Sequence, residues 1–325
     1  MSFPDRRLRR LRKTPALRRL VAETRLSIDD LVAPLFVREG IESPVPIPSL
    51  SGAQQHTRES LVMEVKELRS LGVPGVILFG IPEQKDSQGS QAWNPDGIVQ
   101  LALQDCRDAV GEEMVLIADL CIDEYTDHGH CGVVREDGSV DNDETIEIYG
   151  KIAQAQARAG ADIVAPSGMM DGQVRSIRDA LDKDNFQEVA ILAYSAKYAS
   201  GLYGPFRDAV DVTIADGGDR KAYQQDWRNG REAISEIRAD VEEGADMIMI
   251  KPAIPYLDVL SEARKITDLP IAAYHVSGEF AMIKAAADQN LIDGDVVALE
   301  QLTAIKRAGA DFILTYLTRE IAEVL

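Results

Sequence analysis

Eight short, mostly apolar runs recur along the chain, at 31–37, 76–79, 114–120, 162–165, 189–194, 247–250, 271–274 and 312–315. Most are apolar at consecutive rather than alternate positions, the pattern of parallel strands covered on both faces. Between them lie stretches with the helical period, at 57–71, 96–110, 142–159, 172–182, 229–243, 256–266, 279–287 and 295–308, and a short helix closes the chain. Thr57 suits a helix N-cap, as does Asn142 or Asp143. Residues 38–56, with Pro44, Pro46 and Pro48, read as a loop, and 80–95 as a polar connection. Residues 198–228, rich in Gly, Asp, Tyr and Arg, form a longer loop than a compact domain needs, which points to an active-site lid.

Strand and helix alternating eight times predict an α/β fold, a (β/α)8 TIM barrel. A doubly wound open sheet is the alternative, but no GxGxxG follows any run. A weak internal repeat accompanies the alternation. Gly160-Ala161-Asp162, Gly244-Ala245-Asp246 and Gly309-Ala310-Asp311 each lead into a strand, with the glycine placed as a helix C′ cap.

Two runs end on a lysine. Met247-Ile248-Met249-Ile250 is followed by Lys251-Pro252, and the run at 189–194 leads to Lys197. Lysine is rarely buried unpaired, so each is either a snorkelling strand end or a functional amine. In a closed barrel, the two would point into one space at the C-terminal mouth, where barrel enzymes keep their chemistry. Asp119, Cys121, Ser167, Ser195, Tyr274 to Ser277 and Tyr316 fall at the same strand ends. A free lysine, with a pKa of about 10.4, is a poor nucleophile near neutrality. Burial and a second ammonium both push that value down, and lysine amines form Schiff bases with ketones.

Charge adds a division of the chain. The net charge is −19, which argues against nucleic acid as a general partner. Residues 1–25 hold nine Lys and Arg against Asp5 and Glu23, while the remainder carries 26 basic and 52 acidic residues. The expectation is therefore an extended basic N-terminal arm, 1–25, on a single acidic barrel domain, 26–325, with the arm lying on its own body or a neighbour's. A solvated arm and a transit peptide are the competing readings. No apolar run approaches the roughly 20 residues that span a bilayer. Three cysteines do not suggest a disulfide framework, so a cytoplasmic location is expected.

Five runs together resemble the porphobilinogen synthase (5-aminolaevulinate dehydratase) family, across residues 25–325. They are Tyr194-Ser195-Ala196-Lys197, Tyr203-Gly204-Pro205-Phe206-Arg207-Asp208-Ala209, Gly218-Asp219-Arg220-Lys221, Met249-Ile250-Lys251-Pro252 and Tyr274-His275-Val276-Ser277-Gly278-Glu279. The resemblance implies a barrel with an N-terminal arm, assembled as a homo-octamer, that condenses two molecules of 5-aminolaevulinate to porphobilinogen. It implies that Lys197 and Lys251 each hold one substrate. Arg207, Arg220 and Gln224 on the lid are expected at one substrate carboxylate, and Ser277 and Tyr316 at the other. Asp119 and Ser167 resemble family residues near the reacting amino group.

The resemblance also frames the segment from Asp119 to Cys131. Zinc-using members carry three cysteines there; this chain has Cys121 and Cys131, with Asp123 at the middle position. Two thiolates, a carboxylate and a water make acceptable zinc chemistry, and free cysteines are the plain alternative. Glu236 matches a glutamate that holds an activating magnesium between subunits in some members, and alone reads as a helix-surface residue. Cys106 is most simply a buried small hydrophobe. The closest alternative is a Schiff-base aldolase, which a strand-end lysine would serve equally but which needs one lysine and no cysteine pair; a non-catalytic acidic scaffold is the third reading.

Overall fold

The computed structural model describes residues 6–325. Eight strands follow in chain order: β1 (Leu31–Arg38), β2 (Gly75–Ile81), β3 (Val115–Leu120), β4 (Ile163–Pro166), β5 (Ala190–Lys197), β6 (Met247–Lys251), β7 (Ile271–His275) and β8 (Phe312–Thr315). Each pairs in parallel with the next, and β8 returns to β1, with Leu31 opposite Ile313 and Val32 opposite Leu314. The sheet is therefore closed. Helices lie between successive strands, so the strands are buried on both sides, as their unbroken apolar runs require. No helix of the described residues is long and apolar enough to cross a membrane.

The Gly-Ala-Asp repeat has one structural meaning at all three positions. Gly160, Gly244 and Gly309 have φ of +98°, +109° and +129°, so the chain leaves each helix through the left-handed region. The aspartate that follows reaches back to the preceding strand. Asp162 Oδ2 accepts from Leu116 N at 2.8 Å, Asp246 Oδ2 from Ile191 N at 2.8 Å and Asp311 Oδ2 from Ile271 N at 2.7 Å. An arginine of an earlier helix packs on each glycine: Arg107 on Gly160, Arg178 on Gly244 and Arg264 on Gly309. These clamps close the N-terminal face of the barrel, opposite the lysines.

Thr57 caps Arg58–Ser70, its side chain accepting from Ser60 N, as its position predicts. The next expected cap moves by one residue: Asp141, not Asn142 or Asp143, accepts from Glu144 N at 3.1 Å and starts Asn142–Arg158. The loop expected at 38–56 contains a hairpin, Val45–Pro46 against Gln54–His56, whose second strand lies beside β1. Proline is tolerated there because Val45–Pro46 is an edge.

Residues 1–5 of the expected arm lie outside the described residues. From Arg6 onward the arm forms a 3-10 turn, Leu8–Arg12, and a short helix, Pro15–Leu20, with no buried residue in either. Leu8, Leu11 and Leu20 are 62%, 52% and 76% exposed, so the arm presents an uncovered apolar side as well as its charge.

Candidate active site

Strand pairing alone would set Lys251 beside Ala196. A β-bulge between β5 and β6 slips the register, so that Ile250 faces Ala196 and Lys251 faces Lys197. On β6 the alternation Met249, Lys251 keeps the lysine on the face of buried Met249. On β5 the extra residue lets Tyr194 and Lys197, three apart, share one space. The Lys197 and Lys251 amines lie 5.6 and 5.1 Å from the Tyr194 ring centre. Both lysines are 5% exposed.

Four rings surround Lys251 Nζ: Tyr274 at 4.3 Å, Tyr194 and Phe206 each at 5.1 Å, and Tyr203 at 5.4 Å. Aromatic faces favour a cation, but loss of water disfavours it more. Burial first, and the Lys197 charge second, bring the Lys251 pKa from 10.5 to about 7, against the pull of Asp119, Asp123 and Glu124. Such an amine is substantially unprotonated near neutrality and therefore nucleophilic.

Below the lysines, Ser167 Oγ donates to Asp119 Oδ2 at 3.1 Å, and Lys197 Nζ donates to the Ser167 carbonyl. Burial raises the Asp119 carboxyl to about 6 even with both lysines opposing it. Asp119 Oδ1, Tyr194 OH, Gln224 Nε2 and Arg220 Nε are buried without a hydrogen-bond partner among the described residues. A cavity of about 300 Å³ above the lysines is lined by Lys197, Lys251, Arg207, Arg220, Gln224 and Phe206, among others. Unpaired buried donors around such a cavity mark a place where a polar ligand completes the bonding. Arg207 stands near enough to Arg220 that, after burial, the neighbouring charge lowers its pKa.

Cys121, Asp123 and Cys131 come together beside this cavity. Their ligand atoms lie within 4.8 Å of one another and all three residues are buried. The cysteines are free thiols, so this donor set fits a thiophilic divalent ion. Tyr149 OH donates to the Cys131 carbonyl at 2.6 Å and sits 3.6 Å from Cys121 Sγ. It reaches there because Gly168 has no side chain; a Cβ at that position would collide with the phenol. Burial would raise the Asp123 carboxyl, but the Arg220 guanidinium 2.8 Å away holds it below the usual carboxylate range.

The lid closes over this loop. Ala215 N donates to His128 O at 3.0 Å, Arg220 Nη2 to Gly129 O at 2.7 Å, and Cys131 N to Tyr223 OH at 3.3 Å. Ser277 Oγ accepts from Phe206 N at 3.0 Å, which ties β7's end to the lid. Tyr316 is not on the lysine cavity. Its hydroxyl lies 3.1 Å from that of Tyr274, and the residue lines a neighbouring cavity of about 220 Å³. Glu236 lies outside both cavities, on Gly230–Glu243, where burial first and then Asp171, Glu232 and Glu243 raise its carboxyl. Sequence reasoning missed Tyr194, Tyr203 and Phe206 as walls around Lys251, and also missed Glu124. Burial, then Asp123 and Asp119, push the Glu124 carboxyl well up. The family motifs contained the three aromatic residues; what was absent was the bulge that turns Tyr194 inward.

A closed parallel barrel with two buried lysines in register at its mouth defines a barrel enzyme equipped for amine–carbonyl chemistry. The profile of the family described as delta-aminolevulinic acid dehydratase matches residues 5–324. The chain is 56% identical to the delta-aminolevulinic acid dehydratase of Streptomyces coelicolor, over 100% of this chain and 98% of that one. It is 53% identical to that of Mycobacterium tuberculosis, over 97% and 96%. Among solved structures it matches the delta-aminolevulinic acid dehydratase (porphobilinogen synthase) of Toxoplasma gondii in complex with the reaction product porphobilinogen. That match has a TM-score of 0.96 at 46% identity and covers 98% of this chain and 91% of that one. The chain belongs to the delta-aminolevulinic acid dehydratase family. It is accordingly a hydro-lyase of haem biosynthesis, and the aldolase and scaffold readings fall away.

Proposed function

We propose that the chain joins two molecules of 5-aminolaevulinate to porphobilinogen, with Lys197 and Lys251 each holding one substrate as a Schiff base. The observation that carries this reading is the in-register pair at the ends of β5 and β6, one member of which has its pKa near 7. Each lysine amine condenses with a substrate ketone and expels water. One carbon–carbon bond and one carbon–nitrogen bond then join the substrates. Over the whole reaction, two waters leave and both lysines return as free amines. Two amines held side by side fix the substrates' relative orientation, which replaces a chance encounter with a positioned one.

Arg207, Arg220 and Gln224 bind one substrate carboxylate through forked and amide donors, Arg220 Nε and Gln224 Nε2 being open for it. Ser277, beside the lid at Phe206, and Tyr316, linked through Tyr274 to Lys251 although it lines the neighbouring cavity, bind the other carboxylate by family likeness. Asp119, with a carboxyl near 6 and Ser167 at 3.1 Å, moves protons at the substrate amino group. Cys121, Asp123 and Cys131 would hold zinc rather than magnesium, because thiolates exclude a cation that prefers oxygen ligands. Zinc there would supply Lewis acidity toward a substrate carbonyl or amine. Glu236, with Asp171, Glu232 and Glu243 around it, is the place for magnesium. The basic, apolar arm joins copies into a homo-oligomer, an octamer by family likeness. The free thiols favour a reducing cytoplasm.

The test is incubation with 5-aminolaevulinate and borohydride, followed by peptide mass mapping. Substrate mass should appear on Lys251, and Lys251→Met should lose turnover by many decades. An active Lys251→Met enzyme would sink the reading.

A further inference from the structure

Arg220 and the metal trio draw on the same carboxylate. Arg220 Nη2 pairs with Asp123 Oδ2 at 2.8 Å, with the side chains 9% and 5% exposed. Asp123 is also the only carboxylate of the Cys121–Asp123–Cys131 cluster. A guanidinium and a divalent cation carry the same sign and seek the same oxygens. With little water to screen them, binding of one raises the cost of binding the other. The contest involves the lid, because Arg220 lies within it. Ala215 N and Cys131 N fasten the lid and the metal loop to each other, and Gly129 leaves them no slack. A Cβ there would lie 2.5 Å from Thr213 O. Among the described residues Arg220 also keeps one buried donor, Nε, without a partner and available to a ligand.

We propose that Asp123 is a two-position latch: it holds Arg220 while the cavity is empty and passes to the metal when a substrate carboxylate takes the guanidinium. The inference rests on the reading of Arg220 as a carboxylate-binding residue. Its consequence is positive linkage. Substrate tightens the metal site and, reciprocally, metal tightens substrate. The linkage needs a carboxylate at position 123, since that group alone in the trio forms an ion pair with arginine. Placing aspartate between two cysteines thus makes metal retention answer to substrate rather than merely weakening the site.

The experiment measures zinc affinity in the full chain by competition with a chromophoric chelator, without any turnover. The probes are 4-oxopentanoate, which is 5-aminolaevulinate lacking its amine, and 4-oxopentanamide, which also lacks the carboxylate. Saturating 4-oxopentanoate should tighten zinc by roughly tenfold, within the range usual for coupled sites. The amide should leave it within twofold. In Arg220→Met, zinc should bind roughly tenfold more tightly without any ligand, and 4-oxopentanoate should no longer change it. If that variant fails to fold, the acid-against-amide comparison in the unaltered chain decides. Zinc binding that ignores 4-oxopentanoate, or coupling that survives in Arg220→Met, overturns the latch alone. No zinc binding under any condition overturns the zinc reading along with it.

Discussion

Replacing Lys251 by methionine should kill the enzyme and stabilise the fold. The substitution keeps an unbranched apolar stem and removes an amine that folding strips of water. With the pKa at 10.5 when unfolded and about 7 in the native site, the folded chain at pH 7 binds about half a proton less than the unfolded one, and the buried amine costs about 4 kcal/mol of stability. The sign follows from the direction of the shift. The native state disfavours the proton, so the penalty is full below pH 7, shrinks as pH rises toward 10.5 and vanishes above it. At pH 9.5 roughly a third of it remains. For 325 residues, an unfolding entropy of roughly 2.1 cal/mol/K per residue gives about 0.7 kcal/mol per degree. Lys251→Met should therefore melt about 6 °C higher at pH 7 and about 2 °C higher at pH 9.5. Calorimetry at equal protein concentration reads both numbers. A variant that melts lower at pH 7, or whose advantage is the same at both pH values, refutes the account of a buried, deprotonated amine. A stabilised but dead variant is the expected trade between activity and stability.

Gly168→Ala should displace the Tyr149 phenol from the Cys131 carbonyl, lowering stability by about 1–3 kcal/mol in a urea titration and weakening metal binding; an unaltered variant contradicts the close fit. Asp246→Ala removes the acceptor for Ile191 N and should cost about 1–2 kcal/mol, with kcat/KM within about twofold because the clamp is on the face away from the lysines. A large loss of activity at full stability would show that the clamp reaches the site. Deleting residues 1–25 should shrink the assembly in light scattering while circular dichroism of the barrel persists; an unchanged oligomer with full activity means the arm joins nothing.

The barrel was legible because its strands are buried on both faces and so appear as unbroken apolar runs separated by helical periods. Strand ends were less so. Lys251 reads as the last residue of its strand and is so, whereas the run at 189–194 stops short of Lys197, which is still paired within the sheet. A polar residue closes an apolar run without closing a strand. The hairpin formed by Val45–Pro46 and Gln54–His56 left no trace, since two or three residues carry no period and the prolines argued for a loop. The lysine pair stood out because charge is rare in such runs. Tyr194 did not, since simple alternation puts it and Lys197 on opposite faces, and one inserted residue reverses that. The lid's length announced a function, whereas its grip on the 121–131 loop depends on Arg220 and Tyr223 meeting residues about 90 positions earlier.

The three aspartate clamps divide the chain in a way that bears on where it can be cut. Each joins an odd strand to the even strand after it, β3 to β4, β5 to β6 and β7 to β8, and recruits an arginine from the helix before that pair. Three modules result, each opening on an arginine-bearing helix, and β1 and β2 complete the ring. The joints between modules lie at the mouth, where Ser167 and Lys251 sit. Circular permutants opened at those joints would keep every clamp but sever the loops that carry catalysis. Permutants opened at the opposite face, between Gly160 and β4 for instance, would keep the site loops whole and break a clamp. The chain's tolerance for new termini should therefore divide into foldable but inactive and competent but fragile.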